Sequence, residues 1–289
     1  MERGINLGGA FDRRDGQPGW QVGPERLDAI VAAGFSGVRL PVRWAHARLA
    51  EVAGVVDAVV TRGLSVVMPN HHDDETMAEG YGAAARLSDL WRGLATHFLG
   101  VRGELAFELL NEPLMSAADW NGLLPGVLAA VREVDPERLV VVGGDDASSV
   151  AGLRQLELPA DDRLAATVHY YEPFRFTHQG AGWLPAADAW LGATWGTAAD
   201  RAAVTTDLSE AAAWAIERGV PLYVGEFGVL AAADRASRLR WTAWVRRELE
   251  RLEIPWAYWD LATEFGIYDL ERRAWDAELL DSLLGAEGP

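Results

Sequence analysis

The chain has no cysteine, which excludes disulfides, thiolate nucleophiles and cysteine-ligated zinc. It has no lysine either: all its basic side chains except histidine are arginines, and no function follows from that. No GxGxxG or GxxxxGK[ST] loop occurs, so neither of the common nucleotide cradles is present. No apolar run approaches the ~18–20 residues of a membrane span. There is no internal repeat, low-complexity tract or Pro/Gly/Ser linker. The start, "MERGINLGGAF", lacks a basic region followed by an apolar one, so the chain as it stands reads as cytoplasmic, or as secreted where a leader has been removed. Positive charge is scarce, with a net charge of −17. Such a surface speaks against nucleic acid, anionic membranes and polyanionic substrates. A neutral substrate and a monomer are expected.

The 289 residues are 49% apolar, enough for one large core. Eight short apolar runs are spread along them, at residues 4–11, 36–44, 65–72, 105–113, 138–144, 165–173, 221–229 and 255–261. They are continuous rather than alternating, as suits strands covered on both faces. Between them lie stretches with helical periodicity. Pro24 and Gly34 bracket one of these, and Leu87, Leu90, Trp91, Leu94 and Phe98 line one face of another. Pro125 is expected to kink a third or to mark its true start. Residues 207–219 and 238–252 read as further amphipathic helices. Eight strands alternating with helices predict a (β/α)8 TIM barrel, α/β in class, with one domain over residues 1–289.

In such a barrel the site forms where the strands end. The runs here end on Asp12, on Arg39, Arg43 and Trp44, on Asn70, His71 and His72, on Asn111 and Glu112, on His169, Tyr170 and Tyr171, on Glu226, and on Trp259 and Asp260. Packing alone does not ask for so many polar strand ends. Glu112 and Glu226 are the pair that stands out: two carboxyls, one holding a proton and one ionised, are the minimal kit for glycoside hydrolysis. The bland alternatives are a helix-terminal carboxylate for Glu112 and a half-buried arginine ion pair for Glu226. The run His71-His72-Asp73-Asp74-Glu75 invites a metal reading. Neighbouring residues on a strand point to opposite sides, however, so no metal is expected there, and no cofactor. His46 and His97 read as surface or satisfied core groups. Trp91, Trp214, Trp241 and Trp244 read as helix packing. Of the 13 tryptophans, Trp20, Trp183 and Trp190 are the readings for a sugar-stacking wall, Trp183 and Trp190 standing with Trp195 and His178 in the long segment 174–198.

Taken in order, "GINLGGAFD", "AGFSGVRLPVRW", "HH", "LLNEP", "HYYEPFRFTHQGAGW", "VGEFG" and "WAYWDLATEFGIYD" resemble the family 5 glycoside hydrolases, the cellulase and mannanase family. The likeness extends over almost the whole chain and is greatest to thermophilic bacterial endoglucanases that also cleave β-mannan. It implies a retaining endo-β-1,4-glycanase with Glu112 as acid/base and Glu226 as nucleophile. Asn111 would then hold the sugar 2-hydroxyl. Arg39 and Tyr171 would sit by Glu226, and His169 by Glu112. His71 would contact the sugar above a Trp259 platform, with Asn6 and Trp44 in the same subsite. On the residues alone, His72 is a further substrate-binding candidate, and His178 and Trp183 are candidates to reach sugar from the long loop. Two departures from the family stand out: Asp145-Asp146, where relatives often have an aromatic, and Asp73-Asp74 after the histidines. Other readings are a β-glycosidase or exo-glucanase working on oligosaccharides, a barrel that binds glycans without cleaving them, and a metal-dependent hydrolase using His71 and His72.

Overall fold

In a computed structural model, residues 1–15, 17–101 and 103–285 are described; the end of the predicted domain at 289 lies outside them. Eight parallel strands close into a barrel in sequence order: β1 (Arg3–Asn6), β2 (Gly37–Arg39), β3 (Ser65–Pro69), β4 (Leu105–Glu108), β5 (Val140–Gly143), β6 (Leu164–Tyr170), β7 (Leu222–Phe227) and β8 (Trp256–Tyr258). Each falls in one of the eight apolar runs, and almost every strand residue is buried. Helices wrap the outside. Pro24–Ala33 starts on its proline and stops at Gly34 in the left-handed region (φ 99°). The helix Ala84–His97 buries Leu87, Trp91 and Leu94. The helices Ala198–Arg218 and Arg235–Arg251 contain the segments read as amphipathic. Pro125 does not mark a helix start. Ala117–Arg132 runs through it and begins at Ser116, whose hydroxyl caps Asp119 N. That cap is also why Glu112 is no helix-terminal carboxylate.

The barrel interior is layered. Its lower layer is small and apolar: Val67, Ala106, Val141, Ala165, Tyr223 and Ala257 pack together, with Met1 beneath them. A cavity of about 460 Å³ opens at this end, around Met1, Leu105 and Tyr223, away from the polar strand ends. Above the apolar layer the interior is charged. Arg39 and Glu108, both with no exposed surface, form a two-point ion pair from β2 to β4.

One irregularity positions the upper layer. β6 and β7 pair Val168 with Val224 and then His169 with Glu226, so Gly225 is a bulge. The bulge sets His169 and Glu226 directly opposite one another. A Cβ on Gly225 would lie 2.9 Å from Thr167 Oγ1 and 3.1 Å from His169 Nε2, so only glycine fits there.

Candidate active site

Arg39 is the hub. Besides Glu108, its guanidinium donates to Glu226 Oε1 at 2.5 Å, Asn111 Oδ1 at 2.7 Å and Asn6 Oδ1 at 2.9 Å. Burial works against its charge, but Glu108 and Glu226 outweigh that and strengthen it. Glu226 is 4% exposed. Burial alone would raise its carboxyl pKa. His169, Arg39 and the nearby His71 reverse this and hold it well below the usual carboxylate range, so it is ionised. Tyr171 donates to its other oxygen at 2.8 Å. Burial and the Glu226 charge push the phenol well up, so it keeps the proton it donates.

Glu112 stands across the mouth, more open, its side chain 32% exposed. The chain leaves β4 with Glu112 at φ 46°, a left-handed conformation that costs a non-glycine residue ~1–3 kcal/mol. His169 Nδ1 lies 2.9 Å from Glu112 Oε1 and 3.6 Å from Glu226 Oε2. Burial disfavours a charged His169, yet Glu226 and the bond to Glu112 raise its pKa above the ordinary value. One carboxylate oxygen of Glu112, one ring nitrogen of His169 and one carboxylate oxygen of Glu226 lie within 4.8 Å of one another. His71 Nε2 is 3.7 Å from Glu226 Oε1, and its ring stacks on Trp259 with centroids 5.7 Å apart and planes 4° apart. This is a mostly buried cluster with one fixed carboxylate, one more exposed carboxyl, and Trp259 stacked on His71.

Residues 21–264 match the family described as cellulase, glycosyl hydrolase family 5. The chain belongs to glycosyl hydrolase family 5. Endoglucanase H of Acetivibrio thermocellus is 30% identical across 98% of this chain, which spans 33% of that protein. Endoglucanase C of the same organism is 27% identical, covering 98% of both. Among solved structures, Thermotoga maritima Cel5A in complex with mannotriose is 34% identical with a TM-score of 0.94, over 98% of this chain and 97% of that one. The same enzyme with cellobiose gives 33% and 0.94, over the same shares. As a family 5 member the chain is a glycoside hydrolase of the endoglucanase kind.

Of the residues singled out from the sequence, Glu112, Glu226, Arg39, Asn111, His169, Tyr171, His71 and Trp259 meet in this one network. The exposure and partners of these and the remaining candidates differ. Arg39 is wholly buried with its donors taken, so it acts through the carboxylates rather than on a ligand. Asn6 is also fully buried; its amide donates to Gly225 O and Tyr258 O and accepts from Arg39, bracing the bulge. Trp44 is half-buried and packs against the main core. His178 sits behind Tyr171, stacked on Phe174 (4.0 Å) with Nδ1 against Thr177 Oγ1, and burial lowers its pKa to about 4. Trp183 is 55% exposed, with Phe265 and His178 alongside. Trp195 is core, not wall.

His72 requires a correction. The strand ends at Pro69, and His72 takes φ 51°, so the two imidazoles do not point to opposite sides. Their rings meet edge to face, centroids 4.1 Å apart. Burial and the neighbouring His71 push the His72 pKa down to about 2. Asp73 is structural, capping the helix Asp74–Glu79 and accepting from Asn70.

Three acids went without a role in the sequence reading. Glu108 sits inside "FELLNEP", and a carboxylate in the middle of an apolar strand was the available signal. Asp12 and Asp260 were visible as run ends only. Both are buried, and burial raises both, Asp260 to about 8. A Cβ on Gly8 would come within 2.5 Å of Asp260 Oδ2 and 3.1 Å of the Trp259 ring, so glycine lets this acid and the aromatic floor approach the end of β1.

Proposed function

We propose that the chain is a retaining endo-β-1,4-glycanase that cleaves soluble β-glucan by double displacement. Glu226 is the nucleophile and Glu112 the acid/base. The observation that supports this reading is the close set of Glu112, His169 and Glu226, in which one oxygen of each carboxyl lies within 4.8 Å of the other, too near for a water to fit between those two atoms. Retaining pairs stand ~5–5.5 Å apart, whereas an inverting pair needs ~6.5–9.5 Å to admit water.

In the first step a Glu226 oxygen bonds to the anomeric carbon, the glycosidic C–O bond breaks, and Glu112 gives its proton to the departing oxygen. In the second, Glu112 takes a proton from water as that water displaces Glu226. Arg39 and Tyr171 fix the Glu226 oxygens. His169, between the two carboxylates, follows the charge as it moves from one to the other. Arg39 binds the oxygen of the Asn111 amide. That leaves its NH2 for the sugar 2-hydroxyl, a contact that strengthens as positive charge develops on the ring. Trp259, braced by His71, is the platform beneath that sugar.

β-Mannan or glucomannan is a second substrate class, supported by the likeness to an enzyme solved with both mannotriose and cellobiose. A side-by-side panel of soluble β-glucan and β-mannan with product sizing tests this; monosaccharide or disaccharide released from the start, with no mid-length products, overturns the endo reading. The nucleophile is tested by Glu226→Ala with added azide on an activated β-glycoside. An α-glycosyl azide is expected, and a β-azide or no rescue sinks the assignment.

A further inference from the structure

We propose that Asp12, His71 and His72 form a binding site for one divalent transition cation of the zinc class, and that its occupation inhibits the hydrolase. The three side chains bring ligand atoms within 4.8 Å of one another. They reach this point from two strand ends tied together through Val42, just past β2: Phe11 bridges Val42, and His71 N donates to Val42 O at 2.8 Å. Asp12 is 5% exposed, and its Oδ1 is fixed by Gly9 N at 2.7 Å. Oδ2 faces His71 Nδ1 at 3.8 Å, beyond hydrogen-bond reach.

His71 supplies the second observation. It is 3% exposed, and its Nδ1 has no hydrogen-bond partner among the described residues. Its other nitrogen, Nε2, faces Glu226 Oε1 at 3.7 Å, where a proton on that nitrogen meets a negative charge. A neutral imidazole with its proton on Nε2 has its lone pair on Nδ1, here aimed at the Asp12 carboxylate. Two zinc bonds of ~2.0–2.1 Å at a tetrahedral angle span about 3.4 Å. The 3.8 Å gap therefore closes on a cation with a shift of about 0.4 Å. His72, edge-on to His71, supplies the third donor. Two imidazoles and one carboxylate suit zinc, nickel or copper, and not magnesium or calcium, which prefer all-oxygen sets. Arg14 and Arg43 lie close enough to His72 to oppose the added charge, and the Glu226 carboxylate opposes them in turn.

Inhibition follows from what His71 already does. The same ring touches the nucleophile and stacks on Trp259. A cation on Nδ1 pins that ring and places positive charge one imidazole away from Glu226, which weakens the carboxylate as a nucleophile. This half rests on the proposed hydrolase function; the binding half does not.

The test is calorimetric titration of zinc into the metal-free full chain, with magnesium as control. The expected result is one zinc per chain and no magnesium response. Binding should weaken by at least about tenfold, or ~1.4 kcal/mol, in Asp12→Asn and in His72→Gln, and stay unchanged in Glu112→Gln. Circular dichroism checks folding; should Asp12→Asn not fold, His72→Gln, altered at a half-buried position, decides. Hydrolysis of soluble β-glucan by the wild type should fall over the same zinc range and return with EDTA. The site is overturned by the absence of saturable one-to-one binding, or by equal binding in the Asp12 and His72 variants. It is also overturned by loss of binding in Glu112→Gln, which would place the ion on the catalytic carboxylates. Zinc bound with hydrolysis undiminished overturns the inhibitory half alone. A metal-free chain that cleaves no glycan overturns the hydrolase reading and leaves the site standing.

Discussion

Replacing Glu108 with glutamine tests whether charge organises the upper barrel. Glu108 and Arg39 have no exposed surface and share two hydrogen bonds, at 2.8 and 2.7 Å. Removing one partner of a buried pair costs ~3–5 kcal/mol, because the remaining charge is left without compensation. Here Arg39 keeps Glu226, Asn6 and Asn111, and glutamine retains one acceptor, so the lower end applies: about 3 kcal/mol. Unfolding entropy of ~2.1 cal/mol/K per residue gives about 0.6 kcal/mol/K for 289 residues, so Tm should fall by about 5 °C. Glu108 lies beneath the site and touches no sugar, so kcat/KM on an activated β-cellobioside should fall by only ~10-fold. Loss of a nucleophile costs ~10⁴-fold or more, the outcome expected for Glu226→Ala. Calorimetry and initial rates on both variants give the comparison. A Glu108→Gln Tm within ~1 °C of wild type would falsify the charge-compensation argument. A loss of activity equal to that of Glu226→Ala would instead place Glu108 in the chemistry.

Tyr171→Phe removes one hydrogen bond to the ionised nucleophile, worth ~1.5–3 kcal/mol. The expected fall in kcat/KM is ~10- to 100-fold with folding intact, and unchanged kinetics would dismiss the contact. Glu112→Ala should spare substrates with good leaving groups relative to polysaccharide, since they need no acid; equal losses on both refute the acid/base role. Asp260 concerns pH. Its folded pKa is raised, chiefly by burial, to about 8, while the unfolded chain gives up this proton near ~4. The folded state therefore binds more protons between those values, and wild-type stability declines as pH rises through that window. Asp260→Asn stays neutral, so its stability relative to wild type should rise between pH ~4 and ~8, by an amount on the order of a few kcal/mol. A difference in Tm that does not change with pH refutes the shift.

The strands were legible because barrel strands buried on both faces leave unbroken apolar runs, and helix ends were legible where Pro24 and Gly34 punctuate them. Pro125 does not mark a start because it stands in the third turn of a helix that Ser116 has already capped upstream. Glu112 and Glu226 were legible for a different reason: a carboxylate that ends a buried strand faces the barrel mouth whatever the helices do. Asn6 and His178 were misplaced because a strand-end or loop position does not say whether a polar group faces the cleft or the residue that supports it.

The sequence by itself determined the barrel, the end that carries the chemistry, and the two carboxyls, since all three depend on local periodicity and on which residues terminate strands. Tertiary structure decided the rest. The Gly225 bulge sets His169 opposite Glu226. Arg39 closes on Glu108, 69 positions away. His72 turns back onto His71 through a left-handed backbone. Each depends on register between strands or on a dihedral angle at a strand end, and neither can be read from the order of residues along one chain.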